Sequence, residues 1–175
     1  FLTAATSAVA AAGAVGIAVP FLGSWNPSAK DKAAGAPVKF DAGKMEPGQL
    51  VRVEWRGQPV FVIRRTQAQL DSLVENDGDL KDPESLASSQ PTYVDSRNRA
   101  VKSEFLVLVG LCTHLGCSPK YIKKLDSAAP DASWNGGFFC ACHGSKFDMA
   151  GRVYKGVPAS ENLVVPPYTY ETDSL

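Results

Sequence analysis

Cys112-Thr113-His114-Leu115-Gly116-Cys117 and Cys140-Ala141-Cys142-His143-Gly144-Ser145-Lys146-Phe147 frame the stretch around which this chain is organised. All four cysteines and both histidines of its 175 residues lie inside these two boxes. Each box offers one Cys and one His in chelating range, Cys112 with His114 and Cys140 with His143. Each also carries one further cysteine, Cys117 and Cys142. Four soft or borderline ligands and a leftover pair result.

Two cysteines and two histidines admit a tetrahedral zinc. The same donors serve a [2Fe–2S] centre in which two imidazoles replace two thiolates on one iron. Spacing favours the second reading. Zinc fingers commonly pair Cys with Cys and His with His, whereas each box here mixes the two types, as needed if each loop supplies one ligand to each iron. Two disulfides with idle histidines would suit a short disulfide-dense scaffold, and would leave unexplained why both histidines share the cysteine boxes.

The two boxes together resemble the Rieske iron–sulfur subunit of cytochrome bc1 complexes, of bacterial type. The resemblance implies Cys112 and Cys140 on the buried iron, His114 and His143 on the outer iron, Ser145 donating to a bridging sulfide, and a Cys117–Cys142 disulfide joining the loops. Rieske ferredoxins and oxygenase components share the Cys-x-His and Cys-x2-His parts but generally lack the extra cysteine pair. The fold implied is mostly β: a Rieske-type antiparallel β-sandwich head over residues 38–175, with an inserted cluster-binding subdomain at about 110–158, plus one N-terminal transmembrane helix. Leu115 is implied to pack into the quinol-site surface of a cytochrome b partner. Lys155-Gly156-Val157-Pro158-Ala159 resembles the proline-containing loop that covers the cluster, with Gly156 and Pro158 as docking positions.

Residues 1–22 carry no charged side chain. As a helix at ~1.5 Å per residue they extend about 33 Å, enough for a hydrocarbon core of about 30 Å. Their many small residues permit close approach of neighbouring membrane helices, and Trp25 stands where an interfacial aromatic is expected. A cleaved signal peptide would have a shorter apolar core of ~7–15 residues. Ala8-Val9-Ala10, which matches a cleavage site, lies in the middle of the run, so an uncleaved anchor over residues 1–23 is expected. The chain begins at Phe1, and the resemblance places a basic start with a twin-arginine export signal ahead of it. Residues 24–37 are small and polar, bounded by Pro27 and Pro37, and read as a flexible tether. By resemblance the tether lets the head swing between two docking positions.

Formal net charge is zero, so nothing favours nucleic-acid binding, and 45% hydrophobic residues support a real core. In the head, residues 50–56 alternate with Val51, Val53 and Trp55 on one face, and residues 60–63 return as the second strand of a hairpin. Thr66 with Gln69 reads as a capping box for a helix whose apolar face is Leu70, Leu73 and Val74. Residues 79–90 are acidic and Ser-rich, a surface excursion given no chemistry. The apolar run 104–111 is a buried strand delivering Cys112, Phe138-Phe139 a short strand feeding Cys140, and residues 163–170 a last strand on a sheet edge.

The implied activity is that of the [2Fe–2S] electron-transfer subunit of a quinol:cytochrome c oxidoreductase. Neutral imidazoles raise the potential of such a centre to about −150 to +300 mV. A ring nitrogen deprotonated under the pull of oxidised iron can accept a quinol hydrogen bond at His114 or His143 and take up a proton with the electron. Implied partners are cytochrome b, cytochrome c1, quinol and the lipid bilayer, in a dimeric complex of the bacterial inner membrane with the head on the periplasmic side. Competing readings are the small subunit of another exported oxidoreductase of arsenite oxidase type, a b6f-type Rieske protein, an oxygenase-feeding ferredoxin, which the anchor argues against, and a structural zinc module. One position departs from the family pattern. Phe147 stands where high-potential members usually carry a tyrosine that donates to a cysteine sulfur, which predicts a lowered potential.

Overall fold

Arg56 and Gly57 both take the left-handed conformation, φ 53° and 70°, and close a two-residue hairpin whose twist suits the flanking strands. It joins β1 (Leu50–Trp55) to β2 (Gln58–Arg64), paired antiparallel with Val51 opposite Val62 and Val53 opposite Val60. β3 (Phe105–Val109) adds to the free edge of β2, Phe61 facing Leu108 and Ile63 facing Leu106. A second antiparallel sheet holds β4 (Lys120–Ile122), β5 (Gly137–Cys140) and β6 (Ser145–Phe147) in the order β4-β5-β6. The computed structural model describes residues 1–171 and divides into two units, Phe1–Ala36 and Pro37–Leu175.

Every residue of β3 is buried because its sheet is covered on both faces. Phe61, Ile63, Leu106 and Leu108 point into a core shared with Cys112, Phe138, Cys140, Phe147, Met149 and Leu163. The other face, Val60, Val62, Phe105 and Val107, packs with Ala42 and Met45 and against Val51, Val53 and Trp55. The cluster-box residues and the first sheet thus share one core. Helix α3 (Gln67–Glu75) starts at Thr66, whose side chain accepts from Gln69 N–H while the Gln69 side chain accepts from Thr66 N–H. Leu73 is buried and Leu70 partly so, but Val74 is 62% exposed and does not join the helix's apolar face.

Residues 163–170 do not form the expected edge strand. Val109 N–H donates to Val164 O at 2.8 Å and Val165 N–H to Ser89 O at 3.1 Å. Pro166 and Pro167 then supply no donors, and no ladder follows. In place of a strand, Leu163 and Val165 anchor the segment in the core.

In the first unit α1 (Leu2–Gly23) is 22 residues long, and among the described residues it is the one helix long and apolar enough to cross a membrane. It ends at Ser24, whose N–H bonds Pro20 O at 2.9 Å and whose hydroxyl bonds Phe21 O at 2.6 Å. Trp25 stacks edge-on against Phe21 with ring centroids 5.5 Å apart. The segment read as a flexible tether contains a short helix, α2 (Ala29–Ala34). Ser28 and Asp31 form a reciprocal capping box there, and Ala and Lys are good helix formers.

Candidate metal centre

β3 leads through Gly110 to Cys112, β5 ends on Cys140, and β6 begins at Ser145, so both boxes hang from strand ends. The two loops are the same turn. Gly116 N–H donates to Cys112 O at 2.9 Å and Gly144 N–H to Cys140 O at 2.9 Å. Gly116 and Gly144 hold φ of 79° and 78°, a left-handed conformation that a side chain would strain. The first loop closes with Cys112 N–H on Cys117 O at 2.7 Å, the second with Cys140 paired to Ser145.

Within these loops Cys112 and Cys140 are the free, buried cysteines. Cys117 and Cys142, 25 residues apart, form a disulfide between the loops. The sulfurs of Cys117, Cys140 and Cys142 lie within 4.8 Å of one another. The disulfide uses two of them, leaving Cys140 as the free thiol of that trio, next to Cys112. Burial pushes the Cys140 thiol up; backbone N–H groups of Cys142 and His143 aimed at its sulfur pull it down, and its hydrogen bond with the Cys112 thiol adds to the rise. Ligation by a metal needs the thiolate, so loading is coupled to proton release.

The rings of His114 and His143 meet edge to face, centroids 4.7 Å apart and planes at 89°. His114 Nδ1 is buried and has no hydrogen-bond partner. An orphaned buried ring nitrogen is costly. Two buried thiols and two imidazoles that meet edge to face are the donor types that a [2Fe–2S] group of mixed ligation takes, so the residues present fit such a group.

Ser145 is fully buried, and its hydroxyl accepts Ala159 N–H at 3.0 Å. That bond attaches the proline-containing loop to the second box; Gly156 and Pro158 are exposed on it. Thr113 makes the matching tie from the first box, its hydroxyl donating to Glu161 O at 2.6 Å. Leu115 is 71% exposed at the tip of its loop. Phe147 is fully buried in the core that holds Cys112 and Cys140.

Two supports of the site were not foreseen from sequence. Thr113 sits between Cys112 and His114, and only the fold brings it to Glu161. The segment after α3, expected to be a solvated excursion, runs beside the proline loop, with Lys81 N–H on Val153 O at 3.0 Å and Lys155 N–H on Asp79 O at 2.8 Å. A buried ion pair locks it there. Arg152 and Asp148, both fully buried, meet at 2.7 Å, and Arg152 also donates to Asp77 and Pro83 O at 2.8 and 2.9 Å.

Residues 37–169 match the family described as Rieske [2Fe-2S] domain, and residues 1–28 match "Ubiquitinol-cytochrome C reductase Fe-S subunit TAT signal". The chain is 51% identical over 173 residues to the ubiquinol-cytochrome c reductase iron-sulfur subunit of Allochromatium vinosum, covering 99% of this chain and 84% of that one. It is 44% identical to the subunit of the same name from Blastochloris viridis, covering 97% and 86%, and 39% identical to that of Bradyrhizobium diazoefficiens, covering 99% and 89%. A solved chain titled "Hyperthermophilic respiratory Complex III" superposes with a TM-score of 0.51 at 23% identity, over 99% of this chain and 98% of that one, a likeness that speaks for the fold alone. Ligand boxes, disulfide and relatives agree, and the chain belongs to the Rieske [2Fe–2S] family, among the iron–sulfur subunits of ubiquinol–cytochrome c reductases.

Proposed function

We propose that this protein is the electron-transfer subunit of a membrane-bound quinol:cytochrome c oxidoreductase, taking an electron and a proton from quinol and passing the electron to cytochrome c1. The observation that carries the reading is the pair of facing imidazoles, one with a buried, partnerless Nδ1, beside two buried thiols. A [2Fe–2S] cluster bound there supplies one-electron chemistry at a potential raised by its neutral imidazole ligands.

The residues divide the remaining work. Cys112 and Cys140 hold the inner side of the centre within the core. His114 and His143 hold the outer side, and the ring nitrogen that each keeps free of the metal accepts the quinol hydrogen bond and then its proton. The disulfide fixes the loops against each other, and the proline loop keeps water from the inner side. Leu115, exposed beside His114, packs into cytochrome b at the quinol site, with Gly156 and Pro158 completing the docking rim. The subunit names of the relatives support this assignment over an arsenite oxidase or b6f-type role. With α1 as its anchor, the protein sits in the bacterial inner membrane with its head on the periplasmic side, in a dimeric complex.

Affinity purification of the full chain from native membranes tests the reading. Haem-bearing b- and c-type partners co-purify, and quinol reduces the centre to give the electron paramagnetic resonance spectrum of a histidine-ligated [2Fe–2S] cluster. His143→Ala abolishes that spectrum, while Leu115→Ala keeps it and slows quinol-dependent reduction. Purification without haem partners would overturn the assignment.

A further inference from the structure

We infer that Lys81 is a positioning residue that fixes the Ser145 hydroxyl through the proline loop. The inference rests on the reading of Ser145 as a hydrogen-bond donor to the bound cluster. The backbone around Lys81 is anchored independently of its side chain: Leu80 bridges Tyr154, Lys81 N–H bonds Val153 O at 3.0 Å, and Asn162 Nδ2 bonds Asp82 O at 3.0 Å. From this fixed base the Lys81 ammonium reaches over Pro158 to two carbonyls, Val157 O at 2.8 Å and Ala159 O at 2.6 Å. Residues 157–159 lie in no strand, and Pro158 has no N–H of its own to secure them. Lys81 replaces the missing ladder with two charge-assisted bonds.

The next donor along the loop is Ala159 N–H, and it bonds Ser145 Oγ. A serine hydroxyl has one proton and two lone pairs. With Ala159 N–H on one lone pair, the Ser145 proton is turned away from the loop and donates elsewhere. If the loop drifts, a fully buried oxygen loses its partner and the hydroxyl turns to find another. Lys81 thus holds the loop, the loop holds Ser145, and Ser145 sets the hydrogen bond that favours the reduced centre. The hydrogen bonds of the Lys81 ammonium go to loop carbonyls and not to Cys112, His114, Cys140 or His143, so its effect on potential passes through this relay or acts as a bare charge.

A double-mutant cycle on the full-length, cluster-loaded protein in detergent separates the two routes. Midpoint potentials are read by titration followed by electron paramagnetic resonance, and deuterium exchange is followed over residues 155–162. Ser145→Ala and Lys81→Met are each expected to lower the potential, the latter shifting the oxidised–reduced equilibrium several-fold. A tenfold shift is about 59 mV for one electron. Lys81→Met also speeds exchange in the loop, and Lys81→Arg restores potential and protection. In the double variant Lys81→Met adds nothing to the Ser145→Ala shift. Additive shifts would overturn the relay in favour of through-space charge, as would an unchanged potential in Lys81→Met beside a lowered one in Ser145→Ala. An unchanged potential in Ser145→Ala would overturn the reading of Ser145 and the relay with it.

Discussion

His114 and His143 present their rings to one another at 4.7 Å from two loops that share one turn but place histidine differently, at the second residue after Cys112 and the third after Cys140. The offset follows from the disulfide. In the second loop the position matching His114 is Cys142, which is bonded to Cys117 of the first loop, so the histidine falls one residue later. One loop position ties the halves together while its neighbour carries the histidine.

The disulfide should therefore matter for the cluster more than for the sheet. Cysteine labelling of denatured, unreduced apoprotein is expected to modify Cys112 and Cys140 alone. Substituting Cys142 by Ser should reduce stability by about 3–4 kcal/mol on the chain-entropy model and shorten the lifetime of the bound cluster. Labelling at all four cysteines, or an unchanged cluster lifetime in the Cys142→Ser protein, would count against the pairing.

Arg152 and Asp148 give a second expectation. Both are fully buried, and Arg152 additionally caps the carbonyls of Leu73 and Pro83. Arg152→Met leaves the Asp148 carboxylate in the core without its cation and should cost about 3–5 kcal/mol. Asp148→Asn combined with Arg152→Met should cost less than Arg152→Met alone, because the stranded charge is gone. Urea midpoints followed by tryptophan fluorescence decide; equal losses in the two proteins would place the cost in the lost carbonyl bonds instead.

The metal boxes were legible because cysteine and histidine occur nowhere else in the chain. The hairpin was legible because Gly57 sits between alternating runs, and α3 because Thr66 and Gln69 signal a cap locally. Other features depend on contacts that local pattern does not encode. Lys81 reaches Val157 and Ala159 across 76 and 78 residues, so a lysine in a polar stretch gave no sign of its role. Residues 163–170 carried an apolar strand-like run, yet their burial comes from plugging the core between loops, and two prolines end any pairing. Ser28 and Asp31 carry the spacing of a capping box, a local signal that a reading of the small, polar composition of residues 24–37 passes over.

That short helix bears on the tether. A helix of six residues is marginal in isolation, so Ala29→Gly should loosen it at a cost of no more than about 1 kcal/mol and leave turnover of the assembled complex unchanged. Inserting several prolines between Ala33 and Ala36 stiffens the connection and should slow cytochrome c reduction, if the head moves between docking positions during the cycle. Normal turnover in the proline-stiffened protein would remove that motion from the mechanism.

The last expectation concerns Phe147, which lies fully buried on β6 opposite Phe138, in one core with Cys112 and Cys140. Its ring carries no donor, so electron density on the Cys140 sulfur is supported by the backbone N–H groups of Cys142 and His143 and lacks the side-chain bond that a tyrosine would add. A hydrogen bond to a ligand sulfur stabilises the more negative, reduced form. At about 1–1.5 kcal/mol it corresponds to roughly 40–65 mV for one electron. Phe147→Tyr should raise the midpoint potential of the cluster-loaded full chain by that order. Stability separates success from failure, because a hydroxyl buried without an acceptor costs about 1–3 kcal/mol. A raised potential with an unchanged urea midpoint means that the new hydroxyl has found a cysteine sulfur of the shared core. An unchanged potential with a lowered urea midpoint means that it has not, and that the potential is tuned from Ser145 and the backbone alone.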